Sequence, residues 1–218
     1  VSNPDSFIEE VTEEVRRDRL YALMRRYGWI AVLVVLLIVG GTAFREYRKA
    51  SEMAQAQAFG DSILAALDAP TAEARIDALR AVAPEGPGSA AVLQMLIAAE
   101  EGSAGEDGEA VERLQAVAND TEVPGIYRQV ASYKALTRGA DILSEDERRA
   151  GLEALAVPGQ PLRLLAEEQL ALMEIEAGDT EAAVIRLQAL AEDAEATTGL
   201  RRRARQLIVA LGGEPADG

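Results

Sequence analysis

The run Gly28–Phe44, GWIAVLVVLLIVGGTAF, holds seventeen residues and no charge. A helix on the surface of a water-soluble fold needs a polar face to turn outward, and this one has none between Trp29 and Thr42. At about 1.5 Å per residue the run covers roughly 26 Å, adequate for a bilayer core once Tyr27 and the flanking side chains are added. Tyr27 and Trp29 stand at one end, and Phe44 and Tyr47 at the other, where amphipathic rings suit the two interfaces. The pattern predicts a transmembrane helix over residues 27–44. Trp29, Leu33, Leu36, Leu37, Gly40 and Gly41 are its candidate contacts, because the glycine pair removes bulk and lets another helix approach.

Orientation follows from the flanking cations. Arg16, Arg17, Arg19, Arg25 and Arg26 precede the run, and Arg45, Arg48 and Lys49 follow it. Five against three favours a cytoplasmic N-terminus and a translocated C-terminal domain. Gly41 and Ala43 have the small-residue spacing of a signal-peptidase site, but a leader with six acids before its apolar run is a poor signal peptide. The expectation is an uncleaved signal-anchor. In the tail, residues 1–26, Ser6 and Glu9 form an S-x-x-E capping box, and Phe7, Ile8, Val11 and Val15 recur at helical spacing. Glu13 and Arg17 add an i,i+4 pair, so a short amphipathic helix is expected there.

Beyond the span the chain is rich in alanine, with 41 Ala and only nine aromatics in 218 residues. That is the composition of closely packed helices, not of a β-sandwich. The fold class expected is all-α. Pro87-Gly88, Pro124-Gly125, Pro161-Leu162 and Thr198-Gly199 follow one another at intervals of 37 residues, and each opens a helix-like run. A second phrase recurs inside the units, at Leu79, Leu114, Leu152 and Leu187, with spacings of 35, 38 and 35. Equal spacings beside unequal ones place the length changes in the turns within each unit. The pattern is that of helix-turn-helix units stacked as a solenoid. The expected layout is an exit helix and first hairpin over residues 45–86, and repeats over 87–212 with units starting near 87, 124 and 161. A capping helix from 198 and a flexible tail over 213–218 complete it.

The units resemble the tetratricopeptide repeat. Leu170-Ala171 stands where that family has its Leu-Gly/Ala pair, Gly178-Asp179 at the inter-helix turn, Ala183 at the small position and Leu187 at the large apolar one. Ile97-Ala98, Gly105, Ala110 and Leu114 repeat the scheme. The middle unit departs from it, with Arg148 at the small position and Ser144 as a good N-cap. The resemblance implies a concave face lined by the first helix of each unit. Val92, Met95 and Ala99, then Leu165, Glu168, Leu172 and Ile175, are the candidate partner groove, though leucines at helical spacing also serve as core.

The whole layout is similar to the YfgM family: a short tail, one span entered through Arg25-Arg26-Tyr27-Gly28-Trp29, a charged exit helix and weak repeats. The resemblance implies a single-pass protein of the bacterial inner membrane, an ancillary subunit of the SecYEG translocon. Its periplasmic domain would work with translocon subunits and a periplasmic chaperone on emerging clients.

Catalytic chemistry finds little to stand on. The chain has no His and no Cys, which removes the Ser-His-Asp triad, thiolate nucleophiles and Cys-ligated metals. With 22 basic against 37 acidic residues it is a poor match to a phosphate backbone, so no nucleic acid is expected. Neither a phosphate-binding Gly-rich motif nor a calcium loop is found, and no cofactor or metal is expected. Glu100-Glu101, Glu145-Asp146-Glu147 and Glu167-Glu168 point about 100° apart along a helix and read as solvated surface. Arg201-Arg202-Arg203 with Arg205 reads as cations offsetting an acidic body. The sequence thus favours a non-enzymatic, membrane-anchored module that recruits chaperones or clients at the Sec translocon. The alternative is an accessory or assembly subunit of another inner-membrane complex, respiratory or photosynthetic, held mainly through its span.

Overall fold

The computed structural model describes the backbone of residues 4–214 and the side chains of residues 24–26, 29, 30 and 33–214. All regular structure among them is helical: α1 (Pro4–Leu67), α2 (Ala72–Arg80), α3 (Pro87–Ser103), α4 (Asp107–Asn119) and α5 (Gly125–Arg138). A single 3-10 turn (Gly139–Asp141) then leads to α6 (Glu145–Leu155), α7 (Arg163–Glu176), α8 (Thr180–Glu192) and α9 (Thr198–Ala210). The chain divides into two compact units, one ending at Ala58 and the other beginning at Phe59.

In the first unit, α1 is already helical at Pro4, with Ser6 inside it. Proline suits the first turn, whose N–H groups have no intrahelical acceptor. Ser6 therefore does not stand at the helix start that the S-x-x-E pattern predicts. The side chains of that capping box, of the Glu13–Arg17 pair and of Phe7, Ile8, Val11 and Val15 lie outside the described residues. Among the described residues no helix is long and apolar enough to cross a membrane. Tyr27, Gly28, Ala31 and Val32, four members of the expected span, lie outside the described side chains. The described part of the run is bare: Trp29, Leu36 and Leu37 are 64, 65 and 67% exposed.

The second unit is a chain of hairpins in which each helix packs on the next. Its apolar core forms four clusters in series. Ile63, Ala66, Ile76, Leu79, Leu93 and Ile97 join the end of α1 to α2 and α3. Ala98, Leu114 and Ala131 belong to the cluster joining α3, α4 and α5. Leu136, Leu152 and Leu170 join α5, α6 and α7, and Ala171, Leu187 and Ile208 join α7, α8 and α9. The four recurring leucines, Leu79, Leu114, Leu152 and Leu187, are all at most 2% exposed.

The buried positions fix the true register. Ile97, Ala135 and Leu170 on the first helices stand 38 and 35 residues apart, as do Leu114, Leu152 and Leu187 on the second. Each pair is therefore separated by 17 residues within its own hairpin. The length changes lie between hairpins and not in the turns within them. The Pro/Gly markers at intervals of 37 sit at loop ends, where the chain length is free to drift from the core spacing.

Local chemistry ends and starts the helices. Gly105 and Gly178 take φ of +84° and +79°, the left-handed conformation that stops α3 and α7. The N–H of Glu106 then donates to the carbonyl of Glu101, and that of Asp179 to the carbonyl of Glu174, both at 2.9 Å. Asp179 accepts from the Ala182 N–H at 3.1 Å and so caps α8. The middle hairpin works otherwise. Gly139 lies in the 3-10 turn, and a Cβ there would come 2.7 Å from the Leu143 side chain. Arg148, at the small-residue position, is 8% exposed and donates to the Leu136 carbonyl at 3.3 Å. The close approach comes instead at Gly151, where a Cβ would meet Leu136 at 2.6 Å.

Two outcomes follow. Gly151→Ala should cost about 1–3 kcal/mol by overpacking Leu136. Gly108→Ala on α4, with nothing within 4 Å of the new Cβ, should be neutral or stabilise by about 0.5–1 kcal/mol. Urea denaturation of the two variants compares them directly. The Ser144–Glu147 capping box sets a pH dependence. The Ser144 hydroxyl and, next, its N–H donate to the Glu147 carboxylate at 2.7 and 3.0 Å, holding that group below the usual carboxylate range. A depressed carboxylate stabilises above its unfolded value near 4.5 and loses that contribution as pH falls through its folded value. The stability difference between wild type and Ser144→Ala should therefore shrink on acidification below about pH 4.5; urea midpoints taken from pH 6 to pH 3 measure it.

Candidate functional site

The 38 and 35 offsets define which residues of α3, α5 and α7 occupy equivalent places. Val92, Val130 and Leu165 form one row; Met95, Tyr133 and Glu168 a second; Ala99, Thr137 and Leu172 a third. Val92, Met95, Ala99, Leu165, Leu172 and Ile175 are all half-buried, as are Val130, Tyr133 and Thr137. The first helices are connected along this line. Helix α3 touches α5, the Tyr133 phenol on α5 stands near Gln169 on α7, and Glu168 on α7 is bound by Arg203 on α9. Burial raises the Tyr133 phenol above its ordinary value, partly opposed by the Gln169 side chain.

Met95 and Ala99 are brought together in an open cleft of about 450 Å³ between α3, α4 and α5. Ala98 and Leu114 also line it, with Lys134, Thr137, Arg138 and Asp107. Gly102 keeps this rim open to Arg138, whose guanidinium lies where a Cβ would stand. From there Arg138 reaches Asp107 at 2.6 Å. Tyr133, Thr137 and Lys134 are the contributions that the marker spacing missed. Adding 38 to Met95 and Ala99 finds Tyr133 and Thr137, whereas adding 37 lands on Ser132 and the buried Leu136.

Glu168 is a correction. It is 7% exposed, and both its oxygens are taken by Arg203, at 2.7 and 2.8 Å. A carboxylate so far from water needs a cation beside it, and Arg203 is raised above its usual value by that hydrogen-bonded pairing. It closes the α7–α9 contact and is not offered to a partner. For the same reason Arg203 belongs to an ion pair and not to a free basic run.

Glu100-Glu101 is also not plain solvated surface, whereas Glu145, Asp146 and Glu147 are exposed. Glu101 is fully buried: its Oε2 accepts from Arg113 Nε at 2.8 Å, and its Oε1 from Arg113 at 2.5 Å and Arg80 at 3.2 Å. Arg113 also donates to Gln94 at 2.7 Å. The third hairpin copies this arrangement 73 residues on, with Glu174, Arg186 and Glu167 in place of Glu101, Arg113 and Gln94. Both guanidiniums are raised above their ordinary value, first by the bond to the buried glutamate. Glu100 pairs with Arg75 at 2.6 Å. In the middle hairpin the equivalents of Glu101 and Arg113 are Gly139 and Gly151. Both members of the pair are absent together, so neither charge is left alone in the core.

No group of three or more acidic residues among the described ones is placed to hold a metal ion. Comparison with protein-family models, with curated proteins and with solved structures finds no match. Among the described residues, sequence and geometry together define an all-α helical-repeat fold with half-buried rows of first-helix side chains.

Arg113→Ala should cost about 3–5 kcal/mol, because it leaves the buried Glu101 with one half-exposed partner. Arg80→Ala, which keeps the Arg113 pairing, should cost about 1 kcal/mol. Chemical denaturation of both variants reads the contrast.

Proposed function

We propose that the chain is a single-pass protein of the bacterial inner membrane whose repeat domain binds other proteins. In this reading residues 27–44 cross the bilayer, the N-terminus is cytoplasmic and the helical hairpins stand in the periplasm as a tetratricopeptide-like solenoid. The observation that carries it is a pair of unfilled apolar surfaces. One is the uncharged run in which every described side chain from Leu33 to Val39 is exposed. Contiguous apolar exposure of that kind marks contact with lipid or with another protein. The second is the row Val92, Met95, Ala99, Val130, Tyr133, Leu165 and Leu172 along the first helices, where a partner segment would lie. The likeness to the YfgM family supplies the partners: translocon subunits, a periplasmic chaperone and emerging clients.

Mild-detergent purification of the full-length protein from its native membranes, with in-cell crosslinking, should recover SecYEG subunits. Recovery of one respiratory or photosynthetic complex without the translocon overturns that assignment. Met95→Asp and Leu172→Asp should each reduce capture of the periplasmic partners by about tenfold or more, as expected for a charge placed in a desolvated contact.

A second reading has its own support. Gly40 and Gly41 have nothing within 4 Å of where a Cβ would stand, leaving a bare strip of backbone along the run. If the span itself is the main contact with an accessory-subunit partner, replacing Gly40 and Gly41 by Leu should abolish co-purification. Capture by the repeat domain should survive that change.

A further inference from the structure

Helix α9 repeats the first helices of the hairpins and lacks what they pack against. Ala204 and Ile208 on α9 stand 38 residues beyond Ala166 and Leu170 on α7, and all four are at most 1% exposed. The same offset carries Leu164, Glu167 and Ala171, the edge of α7 that faces α8, onto Arg202, Arg205 and Val209. On α3 the matching edge is Ala91, Gln94 and Ala98, which faces α4. A second helix covers both of those edges, and Ala91, Ala98 and Ala171 are at most 1% exposed. On α9 nothing among the described residues covers the edge. Arg202 and Arg205 are exposed, Val209 is 60% exposed, and together they line an open hollow of about 440 Å³ that runs along the helix from Thr198. Helix α9 is a first helix with an empty second-helix seat.

The empty seat differs from the filled ones in charge. Gln94 on α3 and Glu167 on α7 each take a guanidinium from the second helix, that of Arg113 or Arg186. At that place α9 offers Arg205. A helix laid there in the same way must bring an acid where α4 and α8 bring arginine. The cations are free to meet it: among the described residues neither Arg202 nor Arg205 enters an ion pair or a side-chain hydrogen bond, whereas Arg163, Arg186 and Arg203 are each held by a carboxylate. An end that served only to keep copies of a chain of net charge −15 apart in water would carry acids, and this one is basic. The second helices of another copy do not fit it. They would set Arg113 or Arg186 against Arg205, and both are already committed to Glu101 and Glu174.

We infer that α9 docks an acidic amphipathic helix of a partner protein, laid in the seat that α8 occupies on α7, with a carboxylate on Arg205 and a small apolar side chain on Val209. The surface is separate from the first-helix row, whose α9 equivalent of Leu165 is Arg203, closed on Glu168.

The test uses the full-length chain in detergent and end-capped, fluorescein-labelled peptides of residues 179–192, the α8 segment with its Asp179 cap. One peptide keeps that sequence. The other carries Arg186→Glu, which puts an acid where it would face Arg205. Fluorescence anisotropy should show the Arg186→Glu peptide binding at least about tenfold tighter, as one added charge-assisted hydrogen bond gives. Arg205→Glu in the full-length chain should invert the order, so that the unaltered peptide binds tighter. Because Arg205 is exposed, that variant should keep the wild-type melting temperature. Lys49→Glu, the same change of charge on an exposed face of α1, should move either affinity less than about threefold, through long-range attraction alone. Binding of neither peptide, equal binding of both, or an equal response to Arg205→Glu and Lys49→Glu overturns the inference. So does concentration-dependent self-association in sedimentation velocity that Arg205→Glu abolishes, which gives the seat to a second copy.

Discussion

A carboxylate shut between two helices has to be met there by a cation, and the repeat domain is organised around that demand. Glu101 with Arg113, and Glu174 with Arg186, each tie the end of a first helix to the inner face of the second. Each pair closes inside its own hairpin, with 12 residues between acid and base. Such a pair adds little net stability, because desolvation offsets most of the attraction. What it adds is register: a slide of either helix would leave a buried charge alone. The alanines beside it, Ala98 and Ala110 in the first hairpin, Ala171 and Ala183 in the third, are buried to 1% or less. They bring the helices close enough for the guanidinium to reach.

The middle hairpin meets the same geometric requirement by removing the charges. Gly139 and Gly151 stand at the two positions, and the space is taken by Leu143 and Leu136. Register there rests on shape instead of on charge, and Arg148 is turned to a backbone carbonyl. One fold position is thus filled in two chemically unrelated ways, and the backbone accepts either because the 17-residue distance between the seam residues is the same in all three hairpins.

Much of this architecture was legible in the sequence. The recurring leucines lie in the seams, Gly178 and Asp179 end one helix and cap the next, and Ser144 caps α6. Those features are local or periodic, and one residue type carries each. The side-chain register was harder, because the visible punctuation of Pro and Gly lies in loops, whose length varies without cost to the core. The buried acids were illegible for a different reason. Adjacent glutamates on a helix look like solvent-facing charge, and only the partner 12 residues away, on another helix, tells that one of the two is inside. The row of half-buried side chains was found on α3 and α7 and missed on α5, where Tyr133 and Thr137 replace the aliphatic pattern.

The four core clusters lie in series, and each joins only three consecutive helices. No single nucleus holds the second unit together, so its ends have no direct knowledge of each other. Any mechanical load or partner-induced strain passing from α2 to α9 must travel through the hairpin of α5 and α6. That link is the one whose helices are aligned by glycine and leucine packing and the Arg148 bond to the Leu136 carbonyl, without a buried ion pair to resist sliding. A chain of this kind transmits force as strongly as its middle link, and that link is the one most easily retuned by a change of a few methyl groups.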